Sequence, residues 1–285
     1  MRLATFSQND RERRGAVLGD EVAPLDHAWP SLRAALGAGN AAIAAALAET
    51  KTRIPFAGLR LLPPIPDPEK IFCAGVNYKA HTGETGRENK DYPSMFMRFP
   101  DSQVGHDNPI VLPFLSETFD WESELAVVIG KRCRHVPKEK AFDVIAGYSC
   151  FGDHTIREFT KHERQITPGK NFNRSGAFGP WLVTADEIPD PAALTMTGKL
   201  NGEVMQSTST GDLIFDIPFL IWYLSQWSVL KPGDVIATGT PSGVGFTRKP
   251  PIWMKAGDTF EIEISSIGIL RNTVIPEERP AGYLL

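Results

Sequence analysis

Along most of this chain, apolar and polar positions change over with the short period of strands rather than the 3.6-residue period of helices. After residue 70 the apolar runs are brief, rich in β-branched and aromatic residues, and closed by Gly, Pro, Asn or Asp, as strands separated by turns are. The predicted strands are IFCAGVN (71–77), SMFMRF (94–99), PIVLP (109–113), ELAVVIG (124–130), GPWLVT (179–184), MTGKLNGEVM (196–205), DVIATG (234–239) and DTFEIEISSIGILRNTV (258–274). Two of them fold back on themselves, because LNGE (200–203) and SSIG (265–268) hold the polar-Gly pairs that hairpin turns favour. Helical periodicity is sparser. It is read in KEKAFDVIA (138–146), in IPFLIWYLSQW (217–227), and in an Ala-rich stretch over 31–49 interrupted at Gly37 and Gly39.

The pattern divides the chain. Residues 1–60 read as a small N-terminal α/β domain, with strands over 2–6, 15–18 and 21–24 ahead of the Ala-rich helix. LLPPIPDPEK (61–70) packs four prolines into ten residues and reads as an extended linker. Residues 71–285 form the second unit, a β-rich α+β domain rather than a doubly wound one. Composition adds limits: 285 residues, 42% of them hydrophobic, suffice for a substantial core. Thirty basic against 34 acidic side chains, with no basic run, argue against a nucleic-acid partner. No window approaches the roughly 20 apolar residues of a membrane span, and charge enters the N-terminus before a signal-type apolar run forms, so the expectation is a cytoplasmic protein without a membrane partner. Cys73, Cys133 and Cys150 lack a CxxC pair and read as core residues.

The chemistry begins in DWESELAVVIG (120–130). Alternation in a strand places Asp120, Glu122 and Glu124 on one face, where neighbouring anions repel and lose hydration unless a cation lies between them. Three readings are open from the residues alone: a hydrated strand end paired with Lys131 or Arg132, the acid/base pair of a glycosidase, or oxygen ligands of a hard divalent ion. An ion would want a further carboxylate. In GYSCFGDHTIREFT, an apolar strand ends at Asp153, which is also a candidate N-cap. In NYKAHTGETG, His81 and Glu84 stand three apart, so one helical turn lets the carboxylate orient the ring. GTPSGVG (239–245) lacks the Gly-Lys-Ser/Thr ending of a P-loop.

Taken in order, IFCAGVNYKAHTGE, DWESELAVVIG, GYSCFGD with Arg157, GKNF followed by GPWLVT, and LKPGDVIATGTPSGVG resemble the blocks of the fumarylacetoacetate hydrolase family over about residues 70–274. The nearest likeness is to the branch of acylpyruvate hydrolases and 5-carboxymethyl-2-hydroxymuconate isomerase-like proteins. The resemblance implies a mixed β-sandwich roll with a small N-terminal domain, a homodimer, and Mg²⁺, Mn²⁺ or Ca²⁺ held by Glu122, Glu124 and Asp153. It implies catalytic roles for His81, Glu84 and Lys170, with substrate contacts from Arg157, Thr240 and Tyr78. The implied activity is hydrolytic cleavage of a C–C bond in a 2,4-dioxo acid, a small-molecule 2-oxo acid substrate. Isomerisation or decarboxylation of a related hydroxymuconate or of oxaloacetate is the alternative. Three positions depart from the family pattern: Gly152 for Asn, Thr160 for Gln and Asn173 for Asp. The resemblance places these three positions near the substrate.

Overall fold

The computed structural model describes residues 1–81, 91–162, 165–279 and 281–282. Most of its strands join one twelve-stranded sheet. Its main path runs Ile54–Pro55, Glu21–Pro24, Arg11–Leu18, Arg2–Gln8, Gly176–Thr184, Ile145–Gly152, Ser123–Ile129, Val235–Ala237, Ile71–Gly75 and Ser94–Arg98. A second sheet of five strands runs Glu203–Ser209, Thr195–Leu200, Thr259–Ile264, Gly268–Pro276 and Ile110–Leu112. The expected β-rich α+β architecture is what the chain adopts. No helix among the described residues is long and apolar enough to cross a membrane.

The strand Ser123–Ile129 lies inside the large sheet, bonded antiparallel to Ile145–Gly152 on one side and to Val235–Ala237 on the other. Leu125, Val127 and Ile129 join the core that holds Met196, Phe260 and Ile262 of the smaller sheet. Ala126 and Val128 face the other way, toward Leu32, Ala35 and Leu36 of the helix Leu32–Ala38. With both faces covered, the strand reads as a continuous apolar run.

The first sixty residues share this architecture through backbone pairing: Arg2 and Leu3 register with Val183 and Leu182. The Pro-rich segment holds no helix, but it bends at residues 64–67 and 69 rather than running extended, and it is packed against the sheet. Leu62 N donates to Thr5 O at 2.9 Å, Thr5 Oγ1 donates to Pro64 O at 2.7 Å, and Ile65 is buried. The Ala-rich stretch splits into Leu32–Ala38 and Asn40–Glu49 at Gly39, whose φ of 89° favours glycine. The helix Ile217–Trp227 has the expected bounds, with Asp216 capping Phe219 N.

The predicted helix over 138–146 is a correction. Lys138–Val144 forms a 3₁₀ helix, and Ile145 already begins a strand in register with Ile129. Sheet pairing of a segment buried on both faces overrides the local helical pattern there.

Candidate metal centre and active site

Strand pairing assembles the carboxylates. Ser123 registers with Gly152 and Glu124 with Phe151, so the chain just outside the strands brings Glu122 against Asp153, whose N–H donates to Glu122 O at 3.0 Å. Glu122, Glu124 and Asp153 are all buried, and each offers a carboxylate oxygen within 4.8 Å of the others.

Cations surround two of the three. Lys170 Nζ lies 2.6 Å from both Glu122 Oε2 and Asp153 Oδ2, and it also donates to Asp153 O at 3.1 Å. Arg98, 1% exposed, gives Nη1 to Asp153 Oδ1 at 2.7 Å and to His154 O at 2.9 Å, while Nη2 reaches Ser175 Oγ at 3.0 Å. Arg157 Nη2 stands 2.7 Å from Glu122 Oε1. Burial pushes the Glu122 carboxyl up, but Lys170 and Arg157 outweigh it and hold the group well below the usual carboxylate range. Burial would discharge Lys170, and Asp153 with Glu122 instead keep its ammonium protonated.

Glu124 differs. Its Oε2 accepts from Gly239 N at 2.8 Å, and none of the ion pairs among the described residues includes it. Burial and then the charges of Asp153 and Glu122 push it far above the usual range. Four buried carboxylates, counting Asp120, thus face three cations, and full ionisation leaves negative charge over. A hard divalent cation suits this all-oxygen set and removes that excess.

Asp120 and Glu122 do bring their carboxylates together, each 2.7 Å from Arg157 Nη2, although not along one unbroken strand. Asp120 sits in the two-residue strand Phe119–Asp120, and residues 121–122 leave strand geometry before Ser123 begins the next strand. Asp120 Oδ1 accepts from Gly245 N at 2.6 Å, and Oδ2 accepts from Phe246 N at 3.2 Å and from Arg157 Nε at 2.7 Å. Arg157 in turn lies 4.3 Å from the Phe246 ring centre. Its guanidinium spans Asp120 and Glu122, so it is committed to holding a carboxylate of the cluster rather than pairing with Glu158.

A cavity of about 400 Å³ opens on this cluster, lined by Glu122, Glu124 and Asp153 together with His81, Lys170, Arg157 and Thr240. Phe96, Ile166, Phe246 and Trp253 supply apolar walls. His81 is buried at 4% exposure. Glu84 lies outside the described residues. Tyr78 is 1% exposed in the apolar core, bridged to Leu213, and outside the cavity lining, so the expected substrate contact is not among the groups brought together. Asp153 caps no helix; Thr155–Ile156 follows it as a strand.

Of the three departures, only Thr160 lines the cavity, and its hydroxyl donates to Arg157 O at 2.7 Å. Asn173 is exposed. Gly152 makes room for a ring: a Cβ there would stand 2.6 Å from His154 Nε2. His154 packs edge-on to Phe119 and Phe260, and its Nδ1 faces Glu122 N at 3.4 Å. Burial, and next Arg98, push it down to about 3, so it is neutral.

Sequence reasoning passed over Arg98, His154 and Gln206. A single arginine closing the apolar run SMFMR was the available signal for the first. Gln206 carried none, because its partners are 34 and 83 residues away in sequence.

Residues 70–275 match the family described as Fumarylacetoacetate (FAA) hydrolase C-terminal, and residues 1–64 match one described as Rv2993c-like, N-terminal. Oxaloacetate tautomerase fahd2, mitochondrial, of Xenopus laevis is 38% identical over 288 residues, covering 96% of this chain and 90% of that protein. The crystal structure of maleylpyruvate hydrolase from Sphingobium sp. SYK-6 with manganese(II) and pyruvate superposes with a TM-score of 0.82 at 35% identity, covering 98% of this chain and 100% of that one. The 5-carboxymethyl-2-hydroxymuconate delta-isomerase of Mycobacterium smegmatis gives 0.79 at 31% identity, with 98% and 100% covered.

Proposed function

The chain belongs to the fumarylacetoacetate hydrolase family, and from that premise we propose that it is a divalent-cation-dependent hydrolase cleaving a C–C bond of an acylpyruvate-type 2,4-dioxo acid to pyruvate and a second acid. The observation that carries this reading is the Glu122, Glu124 and Asp153 cluster, facing a cavity that His81 also lines. The cavity volume supports it further, since about 400 Å³ leaves room for an acyl tail and a water molecule beyond a four-carbon acid.

Those three carboxylates would hold Mg²⁺ or Mn²⁺, which supplies Lewis acidity and a template for the carboxylate and 2-oxo oxygens of the substrate. His81 takes a proton from water as the water oxygen attacks the C4 carbonyl carbon. The proposal assigns Glu84, from its place in the sequence, to orient that imidazole. The C3–C4 bond then breaks, its electron pair enters the enolate of pyruvate, and the proton on His81 returns to C3. Lys170, kept charged by Asp153 and Glu122, is assigned to stabilise the negative charge that develops on substrate oxygen. Arg157 and Asp120 hold Glu122 in place, and Thr240 donates to the substrate from the opposite loop. The chain is further proposed to act as a homodimer.

A second reading rests on the tautomerase name of the Xenopus laevis relative. There His81 would move a proton at C3 of an oxaloacetate-type acid, with no attack by water and no bond cleavage between carbons. Incubation of acylpyruvates, oxaloacetate and hydroxymuconates with Mg²⁺ or Mn²⁺, followed by ultraviolet absorbance and product analysis, separates the two. Pyruvate plus a second acid is the expected result. A changed chromophore with the carbon skeleton intact favours the tautomerase or isomerase reading, and CO₂ release favours decarboxylation. Glu122→Gln is expected to abolish turnover; full turnover in that variant would contradict the assignment of the ligands.

A further inference from the structure

Gln206 is 2% exposed in the strand Glu203–Ser209, with both ends of its amide facing backbone groups that have a single role. Oε1 lies 2.9 Å from Ser123 N, a donor, so this atom is the amide oxygen. Nε2 lies 2.9 Å from Pro241 O, an acceptor, so this atom is the nitrogen. The orientation of the amide is thereby fixed by the backbone rather than by choice.

The other N–H of Nε2 meets Thr240 Oγ1 at 2.8 Å, where the hydroxyl oxygen must accept. A threonine hydroxyl has one proton to give. Among the hydrogen bonds of the described residues, Thr240 Oγ1 donates to no protein atom, and Thr240 lines the cavity. The same amide also ties the Thr240–Pro241 turn to Ser123, the residue between Glu122 and Glu124.

We propose that Gln206 is a positioning residue: it occupies the acceptor side of the Thr240 hydroxyl, commits that hydroxyl to donate into the cavity, and so makes this wall select an acceptor oxygen of the substrate, a carboxylate or enolate above all. A charged acceptor gains most from such a donor. The inference rests on the reading of the cavity as the substrate site, and it adds a residue that touches neither substrate nor cation.

The test is calorimetry on the full chain, first with Mn²⁺ and then with oxalate on the Mn²⁺-loaded protein. Gln206→Met removes the amide at similar volume. It is expected to weaken oxalate at least about tenfold while Mn²⁺ affinity stays within about twofold. Thr240→Val should weaken oxalate comparably, and combining the two should add less than about twofold, because both remove one donor. Should Gln206→Met fail to fold, Gln206→Glu keeps the acceptor for Ser123 N but turns the Thr240 proton toward the new carboxylate, and the same split and coupling are expected. Unchanged oxalate affinity, equal losses of Mn²⁺ and oxalate, or losses that multiply in the double variant would overturn the proposal. Wild-type protein that takes Mn²⁺ but not oxalate would instead sink the reading of the cavity, and this inference with it.

Discussion

Two charge networks in this molecule look alike on paper and differ in where they sit. One is exposed: Glu69 meets Arg33 at 2.8 Å and Lys231 at 2.6 Å, with Asp67 on the same arginine at 3.2 Å. The other runs from Arg98 through Asp153, Lys170, Glu122 and Arg157 to Asp120, and it is buried. Distances are similar in the two. In water the first gains little, because solvent already stabilises each charge and screens the pairs. In the interior the second must offset the lost hydration of every member, and a ladder of that kind is weak evidence for stability. It does something a hydrophobic replacement would not: it keeps the Glu122 carboxylate and the Lys170 ammonium charged beside a cavity. Glu124, at its edge with no cation partner among the described residues, is where that arrangement is unfinished without a metal ion.

The contrast can be broken most forcefully from within. Arg98→Met leaves Asp153 with one cation fewer in a buried setting. It is expected to cost about 3–5 kcal/mol in urea-induced unfolding, or to prevent folding altogether. A loss below about 1 kcal/mol would mean that solvent reaches the ladder. At the other extreme, Glu69→Ala breaks its ion pairs with Arg33 and Lys231, yet the urea midpoint is expected to stay unchanged. A clear fall in that midpoint would remove the distinction between the two networks.

Legibility from sequence followed the same divide between local and assembled features. The helix Ile217–Trp227 and the hairpin turn at Asn201-Gly202, with φ of 52° and 83°, are local, and the residues alone carry them. The stretch 138–146 misled because Ile145 is claimed by Ile129 across the sheet, a pairing that no local period reveals. Within the site, strand alternation pointed to Asp120, Glu122 and Glu124 together, the end of a second apolar strand pointed to Asp153, and the family resemblance singled out Glu122, Glu124 and Asp153. The carboxylates of Asp120 and Glu122 meet at Arg157 Nη2 as alternation implied, although residues 121–122 interrupt the strand between them. Arg157 was legible, through the resemblance, as a substrate contact but not as a side chain turned inward onto Asp120 and Glu122. Arg98 reaches the cluster from the edge strand of the same large sheet and Gln206 from the smaller sheet, contacts that exist only once distant strands are assembled and, for Gln206, once the two sheets are packed.

The central proposal is that Glu124 ligates a divalent cation together with Glu122 and Asp153, and titration of Mn²⁺ into metal-stripped protein tests it most directly. Wild-type chain is expected to bind one ion per chain. Glu124→Gln is expected to lower that affinity at least about a hundredfold while leaving the metal-free urea midpoint the same or higher, since it removes a buried acid that forms no ion pair among the described residues. Wild-type Mn²⁺ affinity in Glu124→Gln, or a large loss of metal-free stability, would contradict it.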